Sequence, residues 1–571
     1  MRTWTTAALA PLGIAGLLLA TGTAAALPSP SRVLRSVHVS GVVLDADGPV
    51  VGATVRVQGT RRSVLTDADG RFSLGSLQAG SPITISAWAP LYYCTKREGV
   101  VPPEAGLLLT LERYQTNDNP GYTWIAPVGP GSCSSCKSGG VARVWLESDQ
   151  HARSATNPRF LTMYNGTDVL GNQSPPIRYR CSRDYGCVPL APDPTRPYYG
   201  PGYKLDFPTT TGNCAACHTP GAAVDRPYGT DPTAVQGADL FGIHCDFCHK
   251  IAGVVLDPAT GRPFANRPGV LSLDVRRPFP GGPQLFFGTF DDVNAEAGDT
   301  FLPLQAESRF CAPCHSASFW GTVVYDSFGE WLSSPYSDPG YSRAMTCQQC
   351  HMPAPTLVDG LALTNVAPGN GGIERDPLTI HAHTFPGAAS VPLLQNAASL
   401  EASARLAGDR LEVDVRIVND RTGHHLPTDS PLRQVILLVR GQDGTGQPLA
   451  LLAGPVLPDW LGVGDPARGY YAGLPGMAFA KVLRELWTGL APIGAYWNPT
   501  TIETDTRIPA LAQVSATFVF AAPDGAVEVD VLLLFRRAFR LLADQKGWDD
   551  PDIVMAARKL SLSGRALPPE P

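Results

Sequence analysis

Between residues 36 and 113 apolar and polar positions alternate in short runs broken by turn signals. Val37–Val43 reads as a strand, Asp45-Ala46-Asp47-Gly48 as a turn, Gly52–Val57 as a second strand, and Thr66–Phe72 as a turn entering a third. Short strands at such spacing predict a small β-sandwich. His38, on the first strand, reads as a surface histidine. From 118 to 390 the periodicity fades. Val141–Ala155 and Tyr325–Leu332 fit helices, and much of the rest is Gly/Pro/Asp-rich loop, as at Pro278–Pro283. From 398 the β pattern returns. Leu411, Val413, Val415 and Ile417 fall on one face of a strand, and Arg433–Arg440, Val514–Ala521 and Ala526–Leu534 read as further strands. Met477–Trp487, Arg536–Gly547 and Ile553–Leu560 carry helix-forming residues. The expected architecture is multidomain. It has an N-terminal β-sandwich (36–113), a loop-rich, partly helical middle (118–390) and a C-terminal β-rich domain with added helices (398–565).

The middle region carries the chemistry. Cys214-Ala215-Ala216-Cys217-His218 recurs in form at Cys245–His249, Cys311–His315 and Cys347–His351. Cys-x-x-Cys-His is the attachment signature of c-type haem. Two thiols bond the haem edge, and the adjacent His lies under the ring to ligate the iron. With 13 Cys and 11 His in 571 residues, chance placement yields on the order of 0.006 such motifs. Zinc held by Cys pairs is the competing reading, but zinc does not require a His after every second Cys. Haem c is the expected cofactor, attached through Cys214, Cys217, Cys245, Cys248, Cys311, Cys314, Cys347 and Cys350, with His218, His249, His315 and His351 as proximal ligands.

A fifth segment, Cys133-Ser134-Ser135-Cys136-Lys137, has Lys where His is expected. Three readings stay open. Cys133 and Cys136 hold a haem with Lys137 as ligand, or a haem ligated by a His from elsewhere, or they form a disulfide and hold no haem. Three cysteines lie outside these pairs. Cys181 and Cys187 are close enough in sequence to close a small disulfide loop, and the odd Cys94 is left buried or free.

Each iron takes a second ligand. Apart from His38 the remaining histidines are His151, His244, His381, His383, His424 and His425, enough for bis-histidine ligation. Met352 follows His351 directly and cannot reach the opposite face of that iron. His on both faces predicts lower potentials than Met/His ligation.

Composition narrows the setting. Gly and Pro make up about a fifth of the chain, against a usual ~12%, which fits a loop-rich protein whose apolar core is partly cofactor. A net charge of −6 offers no basic footprint for nucleic acid. Residues 1–26 read as a secretory signal: Arg2, the apolar Ala7–Ala20, then Ala24-Ala25-Ala26. An uncleaved anchor is the competing reading. The mature chain is then expected in the periplasm or at the cell surface, with no further membrane span, with redox proteins as partners and with homo-oligomers allowed.

Two resemblances add to this. "GVVLDADGPVVGATV…TDADGRFSL" resembles the carboxypeptidase regulatory-like (transthyretin-like) domain, which implies a fold but no activity. "CAPCHSASFWG…EWLSSPYSDPGYSRAMTCQQCHMP", with "GIHCDFCHKI", "IHAHTFPG" and "TGHHLPTDSPLR", resembles the multihaem cytochromes related to cytochrome c554, hydroxylamine oxidoreductase and the pentahaem nitrite reductase. The resemblance spans roughly 120–440. It implies distal ligation by His383 (H-x-F-P-G) and His424 (G-H-x-x-P-T), with His425 at the variable position. His151 matches a related pattern loosely, and His244 and His381 are further candidates. Where such proteins have His, this chain has Lys137, as in the catalytic haem of pentahaem nitrite reductase. The reading that follows is electron transfer through four or five haems. The alternative is reduction or oxidation of small nitrogen compounds at a Lys137-ligated haem, and a third reading is a filament or surface component.

Overall fold

The computed structural model describes residues 36–563 apart from 138, 185, 293–297 and 523; the side chains of Cys136 and Gly139 also lie outside the description. The signal-like segment 1–26 lies outside the described residues.

The N-terminal region is a sandwich, as its alternation predicts. In one sheet Ser36–Asp45 pairs with Gly48–Pro49, with Arg71–Gln78 and, in parallel, with Glu104–Thr110. The other sheet runs Ser63–Leu65, Thr54–Val57, Ile83–Trp88, Thr95–Val100. Val39, Val43, Val55, Leu74, Ile85 and Leu109 fill the space between them. His38 is exposed.

The C-terminal region is a second, larger sandwich. One sheet contains Ser399–Ala407, Arg410–Val418, Gln513–Ala521 and Leu451–Ala453. Leu411, Val413, Val415 and Ile417 all point into the shared core. The facing sheet is Gly476–Phe479, Gln434–Asp443, Val527–Arg536 and Ile553–Leu562. Val435 to Val439 are buried on both faces, because Leu457, Leu461 and Tyr471 cover the outer side. Each such buried Val, Leu or Ile contributes about 1.5–3 kcal/mol over leaving it exposed.

Two helix expectations fail here. Met477–Trp487 is not helical: Gly476–Phe479 pairs with Gln434–Asp443, and Lys481–Glu485 pairs with Thr500–Asp505. Ile553–Leu560 is likewise an edge strand on Val527–Arg536. Helix propensity is worth only tenths of a kcal/mol per residue, and the open sheet edges outweigh it. Arg536–Gly547 is helical only from Arg540 to Lys546, its end marked by Gly547 at φ 68°.

The middle region holds short helical turns and two-stranded ribbons, among them Tyr179–Ser182 with Gly186–Pro189, closed by the Cys181–Cys187 disulfide. The long helix expected over Val141–Ala155 is split: Gly139–Ser148 is α-helical and His151–Arg153 is a 3₁₀ turn. Asp149 lies between them, and its carboxylate accepts the His151 N–H at 2.9 Å. Ser327–Leu332 is a helix capped by Asp326. Cys94 is buried.

The three regions are stitched together. Asp292 accepts the Gly59 N–H at 2.7 Å and pairs with Arg375 at 2.8 Å, while Arg56 pairs with Asp291 at 2.7 Å. Trp88 Nε1 donates to Thr300 Oγ1 at 3.1 Å. Toward the C-terminal sandwich, buried Lys546 donates to the carbonyls of Thr162, Thr167 and Pro201 at 3.1, 3.0 and 2.7 Å. Among the described residues no helix is long and apolar enough to cross a membrane.

Candidate functional site

Each Cys-x-x-Cys segment closes a single helical turn. The N–H of the fifth residue donates to the carbonyl of the first Cys: His218 to Cys214 at 3.0 Å, His249 to Cys245 at 3.0 Å, His315 to Cys311 at 3.2 Å. Cys347–His351 is a helical turn with a capping box made by Thr346 and Gln349. Lys137 donates to Cys133 at 3.0 Å in the same way. The departure from the motif keeps the turn's closing hydrogen bond, but the backbone leaves the turn extended at Lys137 (ψ 161°), where His249 stays near-helical (ψ 3°).

The turns converge in space. The thiols of Cys133 and Cys245, of Cys217 and Cys314, and of Cys311 and Cys347 are close neighbours. Segments far apart in sequence thus share one cluster, as irregular motif spacing in a loop-rich chain allows. Cys350 stands apart as the most exposed of the described motif cysteines.

Three histidine pairs span this cluster. The ring centres of His249 and His383 lie 6.4 Å apart, those of His351 and His424 6.4 Å, and those of His151 and His315 6.2 Å. Each pair joins a motif histidine to one of the candidate distal histidines. The Nδ1 atoms are oriented from behind by backbone carbonyls: His249 by Phe287 O at 2.6 Å, His351 by Pro386 O at 2.8 Å, His424 by His425 O at 3.0 Å. An Nδ1–H donated to a carbonyl leaves Nε2 with its lone pair free. Burial pulls His249, His315, His351 and His424 below the ordinary histidine range and takes His383 to about 4. These imidazoles are neutral near pH 7. His151 goes the other way: burial pulls it down, but hydrogen bonding and charge from Asp149 more than offset this.

The other candidates are placed differently. His218, taken by burial to about 4, stacks on Phe160 with ring centres 3.7 Å apart, and none of its described ring contacts is a histidine. His244 caps the Cys245–Cys248 turn. Its Nδ1 accepts the Phe247 N–H at 3.2 Å, and its ring packs on Trp124 and Phe247. His381 Nδ1 faces Met352 O at 2.8 Å. His425 sits beside Glu330, 3.7 Å from its carboxylate. The Lys137 ammonium lies 4.0 Å from Asp299 and is partly exposed. Sequence reasoning missed Asp149, Asp429 and Glu330, acids that stand behind histidines. Only the two-residue interval from Asp149 to His151 carried a signal for any of them. Among the described residues no group of three or more His, Cys, Asp or Glu is gathered as a metal site, which leaves pairs facing each other as the recurring arrangement.

The fold carrying these pairs has a solved counterpart. It is similar to a penta-heme cytochrome c552 from Thermochromatium tepidum. The TM-score is 0.50 at 19% identity, with 77% of this chain and all of that chain covered. A type II cohesin–X-dockerin complex from Acetivibrio cellulolyticus aligns over 14% of this chain and 58% of its own, with 20% identity and a TM-score of 0.13, too low to carry an argument. The family model for the carboxypeptidase regulatory-like domain matches residues 38–110, in keeping with the N-terminal sandwich. No curated protein matches the chain.

Proposed function

We propose that this chain is an exported multihaem c-type cytochrome that carries electrons. The observation that carries the reading is the spacing of the three histidine pairs. With a metal–imidazole bond of about 2 Å on each side, and ring centres about 1.2 Å behind the ligating nitrogens, two imidazoles sharing one iron would have centres about 6.4 Å apart. The three pairs lie at 6.2 to 6.4 Å, and each includes the histidine of a Cys-x-x-Cys-His turn. Covalently held haem supplies a one-electron iron couple. The chain's own residues would do the rest: the thiols would anchor the haems, the carbonyls orient the imidazoles, and the two histidines of a pair would hold one iron between them, which favours conduction over substrate binding.

His218 and Lys137 would serve the remaining two haems, a fourth on Cys214 and Cys217 and a fifth on Cys133 and Cys136. The equivalent turn at Lys137 and the likeness to a five-haem protein support the fifth. His244 is left out of the ligand set. Its Nδ1 accepts the Phe247 N–H as the cap of the turn, so that nitrogen's lone pair is already engaged. One observation favours the reductase or oxidase reading: among the described ring contacts no histidine pairs with His218, and Lys137 faces Asp299. A haem without a second histidine ligand could bind nitrite or hydroxylamine.

A pyridine haemochrome count on the purified protein tests the cofactor content. Five haems per chain is the expected result; four would assign Cys133–Lys137 no haem, and none would end the reading. Spectra with nitrite and hydroxylamine separate the functions. Low-spin spectra indifferent to both support the carrier, and a high-spin component that binds nitrite favours the enzyme.

A further inference from the structure

We infer that Asp149 is a positioning residue that lowers the potential of the His151/His315 haem below those of the other two histidine-paired haems. The inference rests on the bis-histidine reading above. It comes from what stands behind each imidazole. His249, His351 and His424 each give Nδ1–H to a neutral backbone carbonyl. His151 Nδ1 instead faces the carboxylate of Asp149, 3.3 Å from Oδ1, and its partner His315 faces the carboxylate of Asp429 at 3.9 Å. This is the pair with an acid behind both rings.

The two acids differ. Asp429 is shared with Arg433 at 3.6 Å, so its charge is partly met by a cation. Asp149 is fully buried. Its Oδ1 also accepts the His151 backbone N–H at 2.9 Å, and its Oδ2 is buried without a partner. Among the described residues no lysine or arginine lies within salt-bridge distance of it, and the break between helix and 3₁₀ turn fixes its place. A carboxylate hydrogen-bonded to a ligating imidazole makes the ligand more basic. A more basic ligand and a nearby uncompensated negative charge both favour the oxidised iron. In the other two pairs His249, His351 and His424 have a carbonyl at Nδ1 in place of a carboxylate, and Asp149 reaches His383 only through space.

The test uses the full-length, haem-loaded protein and the variants Asp149→Asn, Asp149→Glu and His151→Ala. Potentiometric titration followed by visible and EPR spectra reads each centre. The rings of His151 and His315 cross at 75°, against 18° and 31° in the other pairs, and this difference sets their low-spin signal apart. In the wild type that signal is expected to be lost on reduction after those of the other two histidine-paired haems. Asp149→Asn is expected to shift its reduction equilibrium about tenfold toward the reduced form, about 59 mV for one electron, and to move the other midpoints less. Asp149→Glu is expected to recover much of the difference. If His151→Ala turns one haem high-spin but neither Asp149 variant moves a midpoint, the inference is overturned and the ligand assignment stands. If His151→Ala leaves every haem low-spin, the ligand assignment itself fails, and the inference with it.

Discussion

The imidazoles of His351 and His424 face each other with centres 6.4 Å apart and planes 18° from parallel, although one belongs to a Cys-x-x-Cys-His turn and the other to a loop of the C-terminal sandwich. The position of His424 is over-determined. Its carbonyl accepts from Asn419 Nδ2 at 2.9 Å and from Thr422 Oγ1 at 2.8 Å, and Asn419 also donates to Ile508 O at 2.9 Å. Sheet packing therefore sets the ligand. Replacing His424 with Ala should leave the haem count unchanged, because the thiols still attach, and should convert one haem from low to high spin. EPR and the visible spectrum of the purified variant check this.

Asp206 lies at the cleft between the Pro175–Pro201 loop and the C-terminal domain. Burial raises its pKa to about 6, the neighbouring Glu485 adds to the rise, and hydrogen bonds from Trp497 at 2.6 Å and Asn498 at 3.0 Å oppose it. A carboxyl whose pKa is higher in the folded state binds its proton more tightly there. The stability it contributes is full below pH 4 and is lost as pH rises through 6. Two units correspond to about 3 kcal/mol. Asp206→Asn should remove that slope, so the variant gains on the wild type between pH 4 and 7 in urea denaturation.

Lys546 is fully buried among three carbonyl acceptors. Burial pulls it down to about 7, while three short contacts to carbonyls hold the three-proton form. Lys546→Met keeps the apolar stem and leaves those carbonyls unmet. A loss of about 3 kcal/mol is expected, measured by chemical denaturation followed through Trp548 fluorescence.

Arg277 is buried and binds two acids at once, Asp118 through Nε and Nη2 and Asp225 through Nη1 and Nη2. This fork ties the segment after the N-terminal sandwich to the Cys214 region. Lysine is a point charge and cannot serve both. Arg277→Lys should cost about 2 kcal/mol and should leave the haem spectra unchanged, which separates it from a ligand variant.

The two sandwiches were legible because sheet faces alternate, as at Leu411 to Ile417. The turns that bear the cysteines were legible as motifs. What the sequence could not show is which histidine meets which turn. His383 and His424 were expected as partners without a mate, since nothing local links residue 424 to residue 351. His244 misled for a local reason: a histidine just before Cys245 is also well placed to cap the turn it precedes. The helices expected at Met477 and Ile553 failed because the strand edges they complete are formed by residues distant in the chain.

The Asp292 clasp has a mechanical consequence. One carboxylate holds the Gly59 N–H of the N-terminal sandwich and the Arg375 guanidinium of the middle region, with Arg56 and Asp291 beside it. On the same seam Tyr114 packs edge-on against Phe287, whose carbonyl orients His249. The sandwich is thus an outrigger braced on the middle region: Tyr114 and Phe287 make a two-residue path along which a load on it reaches the His249 imidazole.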